Sequence, residues 1–355
     1  MSVYSALKVF QFPDKLASLS RDNPTILPPL HIRLKPTNVC NHDCSYCAYR
    51  VDNLQLGNDM VIRDSIPREK MMELVEDFAE LGVKAVTFSG GGEPFLYPHL
   101  VETCEGLIRH GIKFASLSNG ALVRGRAAEI FARHATWLRI SIDGFDGPSY
   151  AKYRHVSEDE FGKVLRNIEN FQKLGGPCFL GVSYNIDRDN CHMVFEMASR
   201  LKSLGVRSVK LSPVVMGNTA QQNNDYHQPI FDATKELCHR AKAELVDDGF
   251  EVNDSYHLLE NKFAKNYHWC PSIQIKTVIG ADQNVYSCQD KAYNLKSGLI
   301  GSIKDRRFKD FWMTDKQKFF CIDPSKECNH HCVVNTQNEL MLGFLDIDQD
   351  HVEFI

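Results

Sequence analysis

Between residues 30 and 215 short apolar runs alternate with longer amphipathic ones, and this alternation restricts the chain to a small set of folds. The runs HIRLKP (31–36), KAVTFSG (84–90), IKFASLSNG (112–120), WLRISIDG (137–144), CFLGVSYN (178–185) and VKLSPVV (209–215) are apolar or β-branched, and most end in Gly, Asn or Pro. They read as six buried strands. The segments 66–81, 98–110, 125–134, 159–174 and 190–204 have helical period. In the first, Met71, Leu74, Val75, Phe78 and Leu81 share a face. Ser65 reads as its N-cap, Pro67 sits in the first turn, and Gly82 ends it. Repeated strand–helix units imply a parallel sheet with right-handed crossovers, either open or closed into a barrel. Six units fall short of the eight in a full barrel.

Beyond residue 215 the pattern changes. Residues 217–228 (GNTAQQNNDYHQ) are polar and read as a linker, and a helix is expected at about 229–247. From 270 onward come cysteines, a hairpin pattern (SIQIKTV, GADQN, VYSCQ) and a short RFKDFW helix. This second module has little apolar sequence for a core of its own, which a metal would offset.

The net charge of −4 over 355 residues argues against a chain built to coat nucleic acid or an anionic membrane. No run of about 18 apolar residues appears. The first residues lack the basic and apolar regions of a secretory signal. A cytoplasmic protein is expected.

Twelve cysteines are many for such a chain. Cys104, Cys178, Cys191 and Cys238 are scattered through apolar, periodic segments and read as small core residues. The others form two groups. Cys40-Asn-His-Asp-Cys44-Ser-Tyr-Cys47 follows the first strand, at a spacing that chance gives with a probability of roughly 1%. Three thiolates can hold three irons of a [4Fe–4S] cluster, whose fourth iron is then free for another ligand. Zinc is the competing reading, with His42 or a distant residue as fourth ligand. The second group is Cys270, Cys288, Cys321, Cys328 and Cys332.

C-x3-C-x-aromatic-C at the end of a first strand resembles the radical S-adenosylmethionine (SAM) superfamily. Gly90-Gly91-Gly92-Glu93-Pro94 after the second strand resembles its GGEP motif. Ser118-Asn119-Gly120 and Ser141-Ile142-Asp143-Gly144 end the third and fourth strands, where that family places SAM contacts. Arg154 resembles the arginine found after SxDG in the subgroup with a C-terminal cluster domain. The resemblance implies an α/β fold: a partial (β/α)6 TIM-like barrel with a small C-terminal twitch (shortened SPASM) cluster domain. It also implies boundaries at 1–29 (N-terminal extension), 30–228 (barrel), 229–265 (linker helix region), 266–335 (auxiliary cluster domain) and 336–355 (tail).

The same resemblance assigns site residues. Cys40, Cys44 and Cys47 would hold the SAM-binding [4Fe–4S] cluster. Glu93 would accept from the SAM ammonium, and Gly91 and Gly92 would let backbone approach its methionine part. Ser118 and Asn119 would reach ribose hydroxyls, Ser141 with Arg154 the carboxylate, and Tyr46 the adenine. Cys270, Cys288, Cys328 and Cys332 would hold a second, auxiliary [4Fe–4S] cluster, with Cys321 as the alternative ligand. A zinc knuckle of the same residues competes. His330 and His331 read as surface residues. No catalytic residue or general base is assigned, since Asp143 has an equally good structural role. Arg50, in the long polar loop 48–65, is a candidate substrate contact.

The chemistry implied is formation of a 5′-deoxyadenosyl radical that abstracts hydrogen from a substrate at the barrel mouth. The first reading is oxidation of a small polar metabolite (a sugar, nucleotide sugar or aminocyclitol), with the auxiliary cluster as electron acceptor. A redox-neutral epimerase stays open within it, with Cys178, Cys191 or Cys104 as hydrogen donor. A peptide maturase is ranked lower, because such enzymes often carry a peptide-recognition domain ahead of the motif and 39 residues precede Cys40. The third reading is a non-catalytic zinc protein. The partners implied are a small-molecule substrate and an electron donor such as flavodoxin or ferredoxin, with no nucleic acid and no membrane.

Overall fold

The computed structural model describes residues 5–354 except 53, 55, 257–264 and 331. Seven strands succeed one another: β1 (His31–Leu34), β2 (Ala85–Phe88), β3 (Lys113–Ser118), β4 (Trp137–Ile142), β5 (Phe179–Ile186), β6 (Ser208–Pro213) and β7 (Glu251–Asp254). A short α1 (Pro13–Ala17) precedes them. The crossovers are α2 (Arg68–Leu81), α3 (Leu100–Arg109), α4 (Gly125–His134), α5 (Gly147–Arg154) with α6 (Asp159–Lys173), α7 (Val194–Ser203), and α8 (Ala220–His227) with α9 (Phe231–Leu245). The C-terminal part contributes α10 (Ser272–Ile275), β8 (Lys276–Ile279), β9 (Asn284–Tyr286), β10 (Leu299–Ser302), α11 (Phe308–Trp312), α12 (Pro324–Glu327) and α13 (Asn335–Leu345). All ten strands form one open sheet in the order β10-β9-β8-β1-β2-β3-β4-β5-β6-β7. The run from β1 to β7 is parallel throughout, as a partial barrel requires.

The hairpin expected near residue 280 forms, but it is built into the barrel sheet. β8 pairs parallel to β1, with His31 opposite Lys276 and Leu34 opposite Ile279. β9 and β10 then add antiparallel strands. The first part of SIQIKTV is helical rather than extended. Asn338 Oδ1 accepts from both Ser272 N and Ser272 Oγ, and Gln274 Nε2 donates to Leu19 O, so this turn is tied down at both ends.

Two further local expectations are corrected. Ser65 does not cap α2. Its hydroxyl meets Thr37 Oγ1 at 2.6 Å in an isolated antiparallel bridge, and the helix starts behind Pro67. Gly82 does end it, in the left-handed conformation with φ 71°. The polar segment 217–228 is mostly helical: Thr219 and Gln222 form a capping box that starts α8. α5 was not anticipated, because it buries Tyr150, Tyr153 and Arg154 and shows no single apolar face. Its signal was Asp146-Gly-Pro-Ser149, another capping box with Pro in the first turn.

The scarcity of apolar sequence after residue 270 is resolved by sharing. Phe308, Phe311, Trp312, Phe319 and Ile322 belong to the same buried cluster as the barrel's strands and helices. Phe308 meets Phe78 of α2 edge-on at 5.6 Å. Arg307 reaches the buried Asp77 at 2.5 Å, and Lys309 N donates to the same carboxylate. The terminal segments form a second small core, in which Val9, Leu16 and Leu19 pack with Ile275 and Met341. Of the four scattered cysteines, Cys104, Cys178 and Cys238 are core residues. Cys191 is half-buried, its thiol directed at Arg188 O at 3.4 Å.

Trp312→Ala removes a fully buried side chain and the bond from its Nε1 to Leu27 O (3.0 Å). It should lower stability by about 3–5 kcal/mol. Because the core is shared, chemical denaturation followed by far-UV circular dichroism should shift as one transition. Two separated transitions would contradict a shared core.

Candidate active site

The loop after β1 carries Cys40, Cys44 and Cys47, and three sets of backbone bonds fix it. The parallel ladder of β1 and β2 continues into their loops: Gly92 N donates to Thr37 O (3.1 Å) and Glu93 N to Val39 O (2.9 Å). Asp43 N and Ser45 N donate to Arg154 O and Tyr153 O at the end of α5. Cys47 N donates to Cys44 O in a tight turn. The glycine run has a packing reason that differs from the expected approach of SAM. A Cβ at Gly91 would run into the Asn38 side chain, and one at Gly92 into Val39 O.

Asn38 is the bolt of this loop. Its Nδ2 donates to Val61 O (2.9 Å), and its Oδ1 accepts from Tyr293 OH (2.5 Å) across the molecule. Lys35, also buried, donates to Tyr49 OH (2.8 Å) and to Gly90 O, and Tyr49 OH donates to Gln289 O (3.3 Å). Neither Asn38, Lys35, Tyr49 nor Tyr293 was singled out by sequence reasoning. Polar residues directly before the first cysteine, in a segment expected to be buried, were the available signal.

These loops enclose a cavity of about 230 Å³ at the C-terminal ends of the strands. Cys40, Cys44, Cys47, Gly91, Gly92, Glu93, Ser118, Asn119, Ser141, Arg154 and Arg50 all line it. Tyr46 is not among its lining residues. That ring packs edge-on to Tyr153 at 6.3 Å, and its hydroxyl accepts from Asn185 Nδ2 at 3.4 Å.

Hydrogen bonding already commits several of these groups. Glu93 Oε1 accepts from Ser118 Oγ (2.8 Å) and Phe95 N (3.1 Å), and Oε2 accepts from Asn119 N (2.7 Å). Burial raises its carboxyl pKa, and these donors oppose the rise. Ser118 Oγ also accepts from Gly120 N, so its hydroxyl is engaged on both sides. Asn119 Nδ2 donates to Asn41 Oδ1 (2.8 Å). Arg154 Nε lies 2.9 Å from the Asp143 carboxylate, and its NH2 donates to Ser141 O (3.0 Å). Both members of this pair are buried. Burial works against the Arg154 charge, but Asp143 outweighs it and holds the guanidinium protonated. Arg50 donates to His42 O (3.3 Å) and approaches Asp43. The Ser141 hydroxyl has no hydrogen-bond partner among the described residues. His42 lines the cavity with its Nε2 facing the Glu160 carboxylate at 3.6 Å, and burial, then Arg154, lowers its pKa to about 4 while Glu160 opposes the shift. It is neutral at pH 7.

Burial raises the Cys40 thiol and pushes Cys44 up to about 12. Such thiols stay protonated until a metal displaces the proton. Among the described residues no three His, Cys, Asp or Glu side chains close around a point that a single metal ion would fill. Three thiols outside any disulfide on one cavity wall, with the Ser141 hydroxyl open beside them, suit a larger thiolate-bound group and a polar ligand.

The C-terminal cysteines divide four to one. Cys270, Cys288, Cys328 and Cys332 lie within electrostatic reach of one another. Burial raises all four, Cys270 to about 11 and Cys332 to about 12. Cys321 is exposed, with Glu327 and Lys291 as its nearest charges. Asn338 Nδ2 donates to Cys270 Sγ at 3.2 Å. His330 is not a surface residue, since its side chain is only 13% exposed and faces Asp290 at 4.0 Å. His331 lies outside the described residues.

Comparison with known proteins gives this arrangement a family. Residues 34–201 match the family described as the Radical SAM superfamily. Those residues carry a radical SAM domain, of a family whose members use a [4Fe–4S] cluster and SAM. It is 32% identical over 206 residues to a GTP 3′,8-cyclase of Synechococcus elongatus, covering 57% of this chain and 59% of that protein. It is 25% identical over 200 residues to a probable GTP 3′,8-cyclase of Saccharolobus islandicus, covering 55% and 61%. The match thus spans less than two thirds of these relatives. Among solved structures, Streptococcus suis SuiB bound to SAM superposes with a TM-score of 0.62 at 14% identity, over 94% of this chain and 80% of that one. The enzyme anSMEcpe with bound SAM gives 0.60 at 16%, over 92% and 98%. At such identities the likeness is one of fold: an open parallel barrel sheet.

Gly92→Ala should displace the cysteine loop from β2 without touching a thiol. After anaerobic reconstitution the variant should lose about half of its iron, with an unchanged far-UV spectrum. Arg154→Ala leaves Asp143 buried without its partner and should cost about 3–5 kcal/mol, read from the urea midpoint.

Proposed function

We propose that this protein is a radical SAM enzyme that takes hydrogen from a small polar metabolite, such as a sugar, nucleotide sugar or aminocyclitol, and oxidises it. In this reading Cys40, Cys44 and Cys47 hold one [4Fe–4S] cluster, and Cys270, Cys288, Cys328 and Cys332 hold an auxiliary one in a twitch-type domain. When bound, the first cluster and SAM supply the one-electron cleavage that yields a hydrogen-abstracting carbon radical, and the auxiliary cluster supplies an electron acceptor. A flavodoxin or ferredoxin is the expected source of the initiating electron.

One observation carries the reading. Gln289, the residue after Cys288, lines the same cavity as Cys40, Cys44 and Cys47, so the turn that follows Cys288 reaches the wall of that cavity. The chain's own residues have definite tasks there. Asn38, through Tyr293, and Lys35, through Tyr49 and Gln289, tie the cysteine loop to residues 289–293. Asp143 holds Arg154 charged, and Arg154 fixes the end of β4 so that the Ser141 hydroxyl meets the ligand. Glu93 locks the loop after β2 to the end of β3. Cys104, Cys178, Cys191 and Cys238 do not line the cavity, which favours oxidation over an epimerisation that uses one of them as hydrogen donor.

Anaerobic reconstitution should load about eight irons per chain. Replacing Cys40, Cys44 and Cys47 with Ala should leave about four and abolish formation of 5′-deoxyadenosine from SAM. Cys288→Ala should also leave about four but continue to cleave SAM. Cleavage by the triple variant would overturn the proposal.

A further inference from the structure

The last helix of the chain reaches back to the C-terminal cysteine group. α13 lies beyond the segment that carries the five cysteines, yet its Asn338 is 1% exposed and bonds Ser272, Tyr267 and Cys270. A buried carboxamide has an acceptor oxygen and two N–H donors to satisfy, and here all are used. Asn338 Oδ1 accepts from Ser272 N (3.3 Å) and Ser272 Oγ (2.6 Å). A backbone N–H can only donate, so the amide oxygen faces Ser272 and the NH2 group points the other way. On that side Nδ2 donates to Tyr267 OH and to Cys270 Sγ, both at 3.2 Å. Tyr267 OH spends its own hydrogen on Asn335 Oδ1 at 2.7 Å, so toward Asn338 it is an acceptor. The donor directions are thus fixed along the whole chain of bonds, and one amide hydrogen is held on the sulfur.

Packing keeps this amide in place. Met341, one turn further along α13, shares a buried core with Ile275, which lies one turn beyond Ser272 in α10. Phe344 extends the contact, edge-on to Phe10 at 5.5 Å. The four cysteines of the group differ in what surrounds them. After burial, the largest influence on Cys288 and on Cys332 is the Asp290 carboxylate, and on Cys328 it is the Lys291 ammonium. On Cys270 it is the Asn338 amide, which favours the thiolate, with smaller help from the backbone N–H groups of Ile273 and Ser272. The bonds to Ser272 tie α13 to α10. The bond to sulfur is a donor aimed at a group that gains negative charge when it binds metal.

We infer that Asn338 raises the reduction potential of a [4Fe–4S] cluster held by Cys270, Cys288, Cys328 and Cys332, through its N–H···S bond to Cys270. The inference rests on the reading of those cysteines given above. When such a cluster gains an electron its sulfurs become more negative, so a donor aimed at one of them stabilises the reduced form more than the oxidised one. A higher potential suits a group that accepts an electron from a substrate. Asn338 is a positioning residue, because it acts through Cys270. α13 then belongs to the redox site, although it follows the last cysteine.

The test uses the full chain with Cys40, Cys44 and Cys47 replaced by Ala and reconstituted anaerobically, so that the signal comes from one cluster. A redox titration followed by electron paramagnetic resonance gives the potential. Asn338→Leu removes the donor at similar volume, and Asn338→Asp keeps an oxygen for Ser272 but has no N–H. Both should lower the potential, by about tenfold in the one-electron equilibrium, or about 59 mV. Ser272→Ala loosens the tie to α13 but leaves the amide on the sulfur, and its potential should stay where it is. This control separates a loosened helix from a lost donor. An unchanged potential in both Asn338 variants, or an equal fall in Ser272→Ala, would overturn the inference. Iron content tests the parent reading separately. A chain with the three substitutions that folds but binds no iron sinks that reading, whereas about four irons with a potential indifferent to Asn338 sink the inference alone.

Discussion

The site depends on a short stretch of backbone pairing beyond the ends of two strands. Residues 37–39 and 92–93 continue the β1–β2 ladder into loops, and only glycine at 91 and 92 leaves space for that approach. From this seam the rest of the geometry follows. It sets Glu93 against the end of β3, where three donors offset the cost of burying its carboxylate. It also delivers the cysteine loop to the end of α5, where Tyr153 O and Arg154 O receive it. The loops after β1, β2 and β4 are thereby coupled through main-chain bonds, which hold position better than side chains with free rotors, and the Glu93 carboxylate joins the end of β3 to them.

A second consequence concerns the C-terminal part. It lacks a core of its own, yet it is no loosely attached module: β8 extends the barrel sheet, Trp312 and Phe308 share the barrel's core, and Tyr293 bonds Asn38 directly. The two cysteine groups therefore sit in one rigid frame.

Most of this was legible in the chain. Six of the seven parallel strands coincide with short apolar runs to within a few residues, because parallel strands buried on both faces leave that pattern, whereas the short polar β7 (Glu251–Asp254) leaves none. Helices with one apolar face were equally clear, and the cysteine spacing with its glycine and serine motifs marked the loops that line the cavity. α5 was not legible, because its buried residues are tyrosines and an arginine spread round the helix. The position of β8 was not legible either, since register between distant segments is a tertiary property. Roles within the site were harder than membership. Glu93 and Ser118 stand at the cavity as expected, but their hydrogen bonds tie the protein to itself.

The placement of β8 bears on how the chain reaches its native state. β1 stands between β2 and β8, so residue 31 must wait for residue 276 before its second edge is filled. During synthesis the growing chain can assemble the β1-to-β7 portion while one side of β1, with His31 and Arg33 on it, remains an open edge. Such an edge is a template for wrong pairing, and closure over so long a separation is slow. The same arrangement delays completion of the cavity wall until the Gln289–Lys291 turn arrives, so the cysteine loop stays open to solvent until the last third of the chain has folded.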